Sequence, residues 1–300
     1  MSSRRQFLGR AGLGVGGLVV GGAVGGTVGA LVASSDDEVR AAERERAQQQ
    51  FTEAGGAADE GEAVARLGTH RVVWNTAVSS PIACISFDDG PTPEYTPRIL
   101  EALAAAGVTA TFNVMGYNAV QHPDLLREVV AAGHEIGNHT WTHKDLTTLT
   151  AAQTRDELIR CRDEVSALVD VPFTSFRPPR GEITGYALRV AAELGYDTYI
   201  WSVTRGPGDS GSVTHIADYM GQTVVAGDVL GLHDGIGQGT FDPDAAFAKA
   251  LADRRELEVQ ALPSALQQIA DRGITLMSAN RLLALSDPEP VGGQPAVPGN

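Results

Sequence analysis

From about residue 70 onward, short apolar runs alternate with longer stretches whose apolar positions recur every three or four residues. The short runs are rich in β-branched residues and predict strands at 71–74 (RVVW), 82–87 (IACISF), 108–114 (VTATFNV), 134–139 (HEIGNH), 173–178 (FTSFRP), 198–203 (TYIWSV), 228–233 (DVLGLH) and 274–277 (ITLM). The longer stretches predict helices. Ile99, Leu100 and Leu103 share one face, and Gly107 supplies a left-handed stop. In 122–133, Pro123 opens a helix, Leu125, Leu126, Val129 and Val130 line it, and Gly133 ends it. Thr150 and Gln153 form a capping box ahead of the stripe Leu158, Cys161, Val165 and Leu168. Further helices are predicted at 186–195, 262–273 and 279–285. Strand–helix alternation with short connections predicts a parallel α/β fold. In such folds functional groups gather at the C-terminal strand ends. Asp88, Asp89, His139, Arg177 and His233 all stand there.

The ends of the chain read differently. Residues 1–33 combine a basic head with a glycine-rich apolar stretch, the layout of an export signal. Arg4 and Arg5 before Phe7 and Leu8 resemble a twin-arginine signal, so the partner expected is the twin-arginine export machinery. The mature protein is then secreted or attached to the cell envelope. The apolar span is also long enough to act as an uncleaved anchor, and membrane contact is expected only through this segment. Residues 34–68 read as a charged linker, 69–285 as the catalytic domain, and 286–300 as a disordered Pro/Gly-rich tail. A formal net charge of −14 speaks against a nucleic-acid partner, since sequence-independent binding runs on Lys and Arg contacts to phosphate. Cys84 and Cys161 both fall at apolar positions and read as small buried hydrophobes more than as a disulfide.

His139 and His143 are four apart, the spacing that places two imidazoles on one side of a helical turn. Catalytic zinc sites commonly use three protein ligands and leave a position for water, two histidines and a carboxylate being one such set. "FDDGP" supplies two adjacent carboxylates, Asp88 and Asp89, and Gly90 and Pro91 break the strand behind them. Both can therefore bend into one mouth, one to bind an ion and the other to serve as a base. Arg177, in "FRPPRG", offers a fixed charge that would hold a neighbouring aspartate ionised. Pro178 and Pro179 stiffen the segment, so the Arg180 amide is presented rigidly as a donor. His233 is suited to protonate a leaving group near neutral pH. Taken singly, these are a surface histidine pair, an acidic turn, a surface ion pair and a structural histidine. Their convergence on strand ends is what favours a metal site. His70, His122, His134 and His215 read as structural or exposed, with His134 placed to stand behind a ligand.

With these residues in order, the chain resembles the polysaccharide deacetylases of the NodB-homology type, carbohydrate esterase family 4, over about residues 80–285. "SFDDGP" is similar to the family's TFDDGP motif, "HTWTH" to its H(S/T)xxH motif, "FRPPRG" to its third motif and "LGLHDG" to its late histidine motif. The resemblance implies a distorted (β/α) barrel and a divalent metal ion, usually zinc, held by Asp89, His139 and His143. It implies Asp88 as general base tethered by Arg177, His233 as general acid, and the Arg180 backbone amide in an oxyanion hole. The activity implied is removal of N-acetyl groups from an envelope glycan, peptidoglycan or a chitin-like polymer, by an activated water. O-acetyl xylan or a lipid-linked sugar would suit the same machinery, and a noncatalytic glycan-binding module is the alternative from another class.

The sequence also departs from the family pattern. The family's Asp-Trp pair, whose aspartate tunes the acid, has its nearest match in Asp209, with no tryptophan equivalent; Trp201 reads as core. The leucine that usually packs on the acetyl methyl is replaced by Gly231, flanked by Leu230 and Leu232, which points to a different acyl pocket. Arg180 stands where a tyrosine is frequent, offering a basic side chain to an acidic substrate. Residues 236–260 are longer than a minimal member needs and are expected to cover one side of the groove as a loop and helix.

Overall fold

The computed structural model of the protein describes residues 70–206 and 211–286. The export segment 1–33, the linker 34–68, Asp209 and the tail beyond Ser286 lie outside the described residues. Eight strands follow one another: Val72–Val73 (β1), Ile82–Asp88 (β2), Thr111–Val114 (β3), Glu135–Asn138 (β4), Ser175–Phe176 (β5), Asp197–Tyr199 (β6), Val229–His233 (β7) and Thr275–Met277 (β8). The helices between and after them are Thr96–Ala106 (α1), Gly116–Gln121 (α2), Pro123–Ala131 (α3), Ala151–Ser166 (α4), Gly185–Glu193 (α5), Val213–Thr223 (α6), Ala246–Asp271 (α7) and Ala279–Ala284 (α8).

Every strand pairing is parallel, in the order β1-β6-β5-β4-β3-β2-β7, with β8 beside the start of β2. Beyond β6, Val203 bridges Leu230 of β7, and the Gly231 N–H donates to the Val203 carbonyl at 2.9 Å. That bridge ties the far end of the sheet back to β7 and curls it into the distorted barrel that the family resemblance implies.

The core follows from the two-residue period of the strands. On β2, Ala83, Ile85 and Phe87 join the large apolar cluster under the helices. Ile82 and Cys84 belong instead to a small cluster with Val73, Tyr199, Val229 and Met277. The same inner face continues upward as Ser86 and Asp88, so the barrel interior is apolar at one end and polar at the other. Both cysteines are buried and free, and burial pushes the Cys84 thiol up to about 12.

The helical signals hold closely. Gly107 ends α1 at φ 66°, and the Thr150–Gln153 capping box is formed at the start of α4. Two helices carried no signal that was read, α2 and α6, although Ile216, Ala217 and Met220 make a short buried stripe on α6. The C-terminal region differs more. The loop expected from 236 is present up to Ala245, but the helix expected after it and the one expected from 262 are a single 26-residue helix, α7, continuing through Pro263. A proline inside a helix removes a hydrogen bond, but the buried stripe Val259, Leu262, Leu266 and Ile269 runs unbroken across it and keeps the helix docked.

Candidate active site

β2 ends at Asp88, and the chain turns at Asp89 with φ 80°. A non-glycine residue held there costs roughly 1–3 kcal/mol and persists only where its surroundings enforce it. Asp234 does much of the enforcing. Its carboxylate accepts the Gly90 N–H at 2.9 Å and the Thr96 hydroxyl at 2.8 Å, and its own N–H donates to the Asp88 carbonyl at 2.9 Å. A Cβ on Gly90 would lie 1.9 Å from an Asp234 carboxylate oxygen, so only glycine fits. Burial pushes the Asp234 carboxyl up to about 7.

His139 and His143 follow β4, but not on the helical turn their spacing suggests. The segment is an irregular loop, with Thr140 at φ 69° and His143 at φ 54°. Side-chain acceptors take the N–H groups a helix would have used. Thr140 N–H donates to Asn138 at 2.9 Å, His143 N–H to the Thr140 hydroxyl at 3.1 Å, and Thr142 N–H to buried Glu157 at 2.8 Å. The two rings nevertheless come together, 5.0 Å between centroids.

The Nε2 atoms of His139 and His143 lie 3.5 Å and 3.2 Å from Oδ1 of Asp89. That oxygen is buried and accepts no hydrogen bond from the described residues. One donor atom from each of the three residues falls within 4.8 Å of the others. His139 donates its Nδ1–H to the Arg177 carbonyl at 2.7 Å, which turns Nε2 toward the cluster. Two imidazole nitrogens converging on an orphaned buried carboxylate oxygen fit a single divalent ion.

Arg177 is wholly buried, an interior strut and not a surface ion pair. It donates to Asp88 Oδ1 at 2.8 Å, Ser86 Oγ at 2.7 Å, and the Tyr199 and Ile200 carbonyls at 3.1 and 3.0 Å. Asn113 adds a 2.7 Å bond to the same Asp88 oxygen, and Asn118 donates to the Asp89 carbonyl at 2.7 Å. Burial alone would raise both aspartates. The Arg177 guanidinium, supported by His139 and His233, holds Asp88 below the usual carboxylate range. His143 and His139 hold Asp89 well below it. Burial pushes His143 down to about 4, which keeps its ring neutral and able to ligate. Burial would lower His139 too, but Asp88 and Asp89 outweigh it and raise that ring.

His233 closes β7 directly across from Asp88 in the strand register, its ring partly exposed. Arg180, three residues after Arg177, is held at φ 58°, and its half-exposed side chain pairs with Asp145 at 2.8 Å, so its charge already has a partner. Trp201 is half-buried rather than core. A Cβ on Gly231 would lie 2.9 Å from it and one on Gly181 3.0 Å from it, so both glycines make room for the indole. Leu230 and Leu232 face the helix layer and do not line the site. His134 does not stand behind a ligand; its Nδ1 accepts the Ala110 N–H at 3.1 Å.

Asn113, Asn118, Glu157, Asp234, Arg255 and Glu258 were not singled out from sequence as functional. Some left a trace there. Asn113 is a polar residue in a fully buried strand, and Arg255 and Glu258 interrupt the apolar stripe of α7.

The strand ends of this parallel barrel gather two histidines, two aspartates and a buried arginine, and three of these residues could hold one metal ion. Comparison with known proteins places it further. A family model described as polysaccharide deacetylase matches residues 75–199. Over 190 residues the chain is 33% identical to a peptidoglycan-N-acetylglucosamine deacetylase of Bacillus cereus, covering 63% of this chain and 88% of that protein. Over 209 residues it is 31% identical to a chitooligosaccharide deacetylase of Sinorhizobium fredii, covering 69% and 94%. Its fold is similar to that of a carbohydrate esterase family 4 pseudoenzyme from Bacillus anthracis, with a TM-score of 0.62 at 19% identity over 72% of this chain and 70% of that one. The chain belongs to the polysaccharide deacetylase family, and with it to the hydrolases that cut carbon–nitrogen bonds other than peptide bonds. That a pseudoenzyme shares the fold places the weight of the functional argument on the side chains at the strand ends.

Proposed function

We propose that the protein removes N-acetyl groups from an N-acetylglucosamine-containing envelope polysaccharide, peptidoglycan or a chitin-like polymer. The observation that carries this is the cluster of Asp89, His139 and His143 around one orphaned buried oxygen, with Asp88 and His233 beside it. The two relatives at 33% and 31% identity are named as deacetylases of peptidoglycan N-acetylglucosamine and of chitooligosaccharides. Asp89, His139 and His143 would hold a divalent cation, and two histidines with a carboxylate are a known catalytic zinc set. Such an ion supplies an acidified water and a Lewis acid for the acetyl carbonyl.

The remaining steps fall to the chain itself. Asp88 has one oxygen committed to Arg177 and Asn113, which fixes the carboxylate and leaves the other oxygen to take the proton of the attacking water. The Arg180 amide, set at the strained turn after Pro179, would donate to the developing oxyanion. Loss of such a donor typically costs about 100- to 1,000-fold in rate. His233 would protonate the departing sugar amine, releasing acetate and a free amino sugar. The half-buried Trp201, standing over Gly231, supplies an apolar wall for the acyl group in place of the family's leucine. We also read residues 1–33 as a twin-arginine export signal, which would deliver the enzyme to an envelope substrate. Replacing Arg4 and Arg5 by lysine should then block export, and unaltered export would refute that address.

The direct test is acetate release from N-acetylglucosamine oligomers, peptidoglycan and acetyl-xylan by the purified protein supplied with zinc. Release from the first two, reduced by about 100-fold or more in Asp88→Asn and His139→Ala, is expected. Glycan binding without acetate release from any of them would instead favour a binding module.

A further inference from the structure

Helix α7 carries two charged residues on its buried face, Arg255 and Glu258. Glu258 lies beneath His233. Its Oε1 accepts the His233 backbone N–H at 2.5 Å and stands 3.5 Å from Nδ1 of the same residue's ring. That Nδ1 is buried and has no hydrogen-bond partner among the described residues, and neither has Glu258 Oε2. Arg255 places its NH1 3.8 Å from Oε2, donates its Nε–H to the Gly235 carbonyl at 2.9 Å, and brings NH2 to 3.7 Å from Asp89 Oδ2. A carboxylate is costly to bury, and this one is buried where it meets both the backbone and the ring of one histidine.

We propose that Glu258 is the positioning carboxylate of His233. It holds the ring with Nδ1–H toward helix α7 and so presents Nε2 to the departing amine. Arg255 balances its charge and locks α7 to the turn after β7. The partner of the acid thus comes from the long helix near the end of the domain. The proposal rests on the reading of His233 as general acid, and the experiment separates the two.

Glu258→Gln, His233→Ala and the double variant are compared on an N-acetylglucosamine oligomer and on 4-nitrophenyl acetate, whose leaving group departs without a proton. With Glu258→Gln, kcat on the oligomer should fall about 10- to 100-fold, with KM and the ester rate changed by no more than about 2-fold. In the His233→Ala background the same change should cost nothing further. Glu258→Asp, which withdraws the carboxylate by one methylene, should show the same split and serves if the glutamine variant does not fold. An equal loss on both substrates, or an undiminished loss on top of His233→Ala, would make Glu258 a structural residue and overturn the proposal alone. If His233→Ala itself treats the two substrates alike, the acid is elsewhere, and the site reading and the proposal fall together.

Discussion

Arg177 presents its guanidinium to four acceptors inside the barrel, one of them the carboxylate of Asp88. Removing a buried charge from such a set leaves its partner uncompensated. Arg177→Ala should therefore destabilise the protein by about 3–5 kcal/mol in urea unfolding, and a loss below about 1 kcal/mol would contradict the interior-strut reading. Lysine would keep the charge but not the fork that reaches two carbonyls at once. Asp234 makes a pH-dependent claim. Its carboxyl is raised to about 7 in the fold, against about 3.9 for an unperturbed aspartate. The folded state therefore holds that proton more tightly. Stability from this group is complete below about pH 4 and is lost as pH rises through about 7. Asp234→Asn cannot titrate, so its stability relative to the parent should climb between about pH 4 and pH 7 and level off above that. An identical pH slope for both proteins would show that Asp234 does not contribute in this way.

At the scale of elements, the strand ends set the site and the loops complete it. The turn carrying Gly237 closes over the cluster at φ 59°, and a Cβ there would lie 2.9 Å from His143 Nδ1 and 3.1 Å from Asp89 Oδ1. Gly237→Ala is expected to weaken zinc binding about 10- to 100-fold by calorimetry, at a stability cost of about 1 kcal/mol. Unchanged zinc affinity would mean this turn does not set the ligand geometry. Much of this scale was legible beforehand. The capping box at Thr150, the stops at Gly107 and Gly133 and the eight strands are local signals, written within a few residues of where they act. The His139–His143 loop was not, because Asn138, Thr140 and Glu157 divert its N–H groups and spacing alone cannot reveal that. The unbroken α7 was obscured by Pro263, a breaker that docking against the core overrides.

Over the whole molecule, the proposed ion would join the turn after β2 to the loop after β4, segments some fifty residues apart in the chain. A ligand that binds only the folded state stabilises it by about 2.7 kcal/mol at a hundredfold excess over Kd. Chelation should accordingly lower Tm by roughly 5–10 °C for a domain of this size, reversed by added zinc. A melting curve indifferent to chelator would count against a resident metal. Among the described residues no helix is long and apolar enough to cross a membrane.

By itself the sequence determined the parallel α/β alternation and the residues offered at the strand ends. These follow from periodicity and local stereochemistry, which act over neighbouring residues. Only the tertiary structure decided that the two histidines reach Asp89 from an irregular loop, that Arg177 is interior, that Trp201 stands over Gly231, and that Glu258 reaches His233 from a distant helix. Each of those depends on which segments the closing barrel brings together, and no local pattern encodes a distance across it.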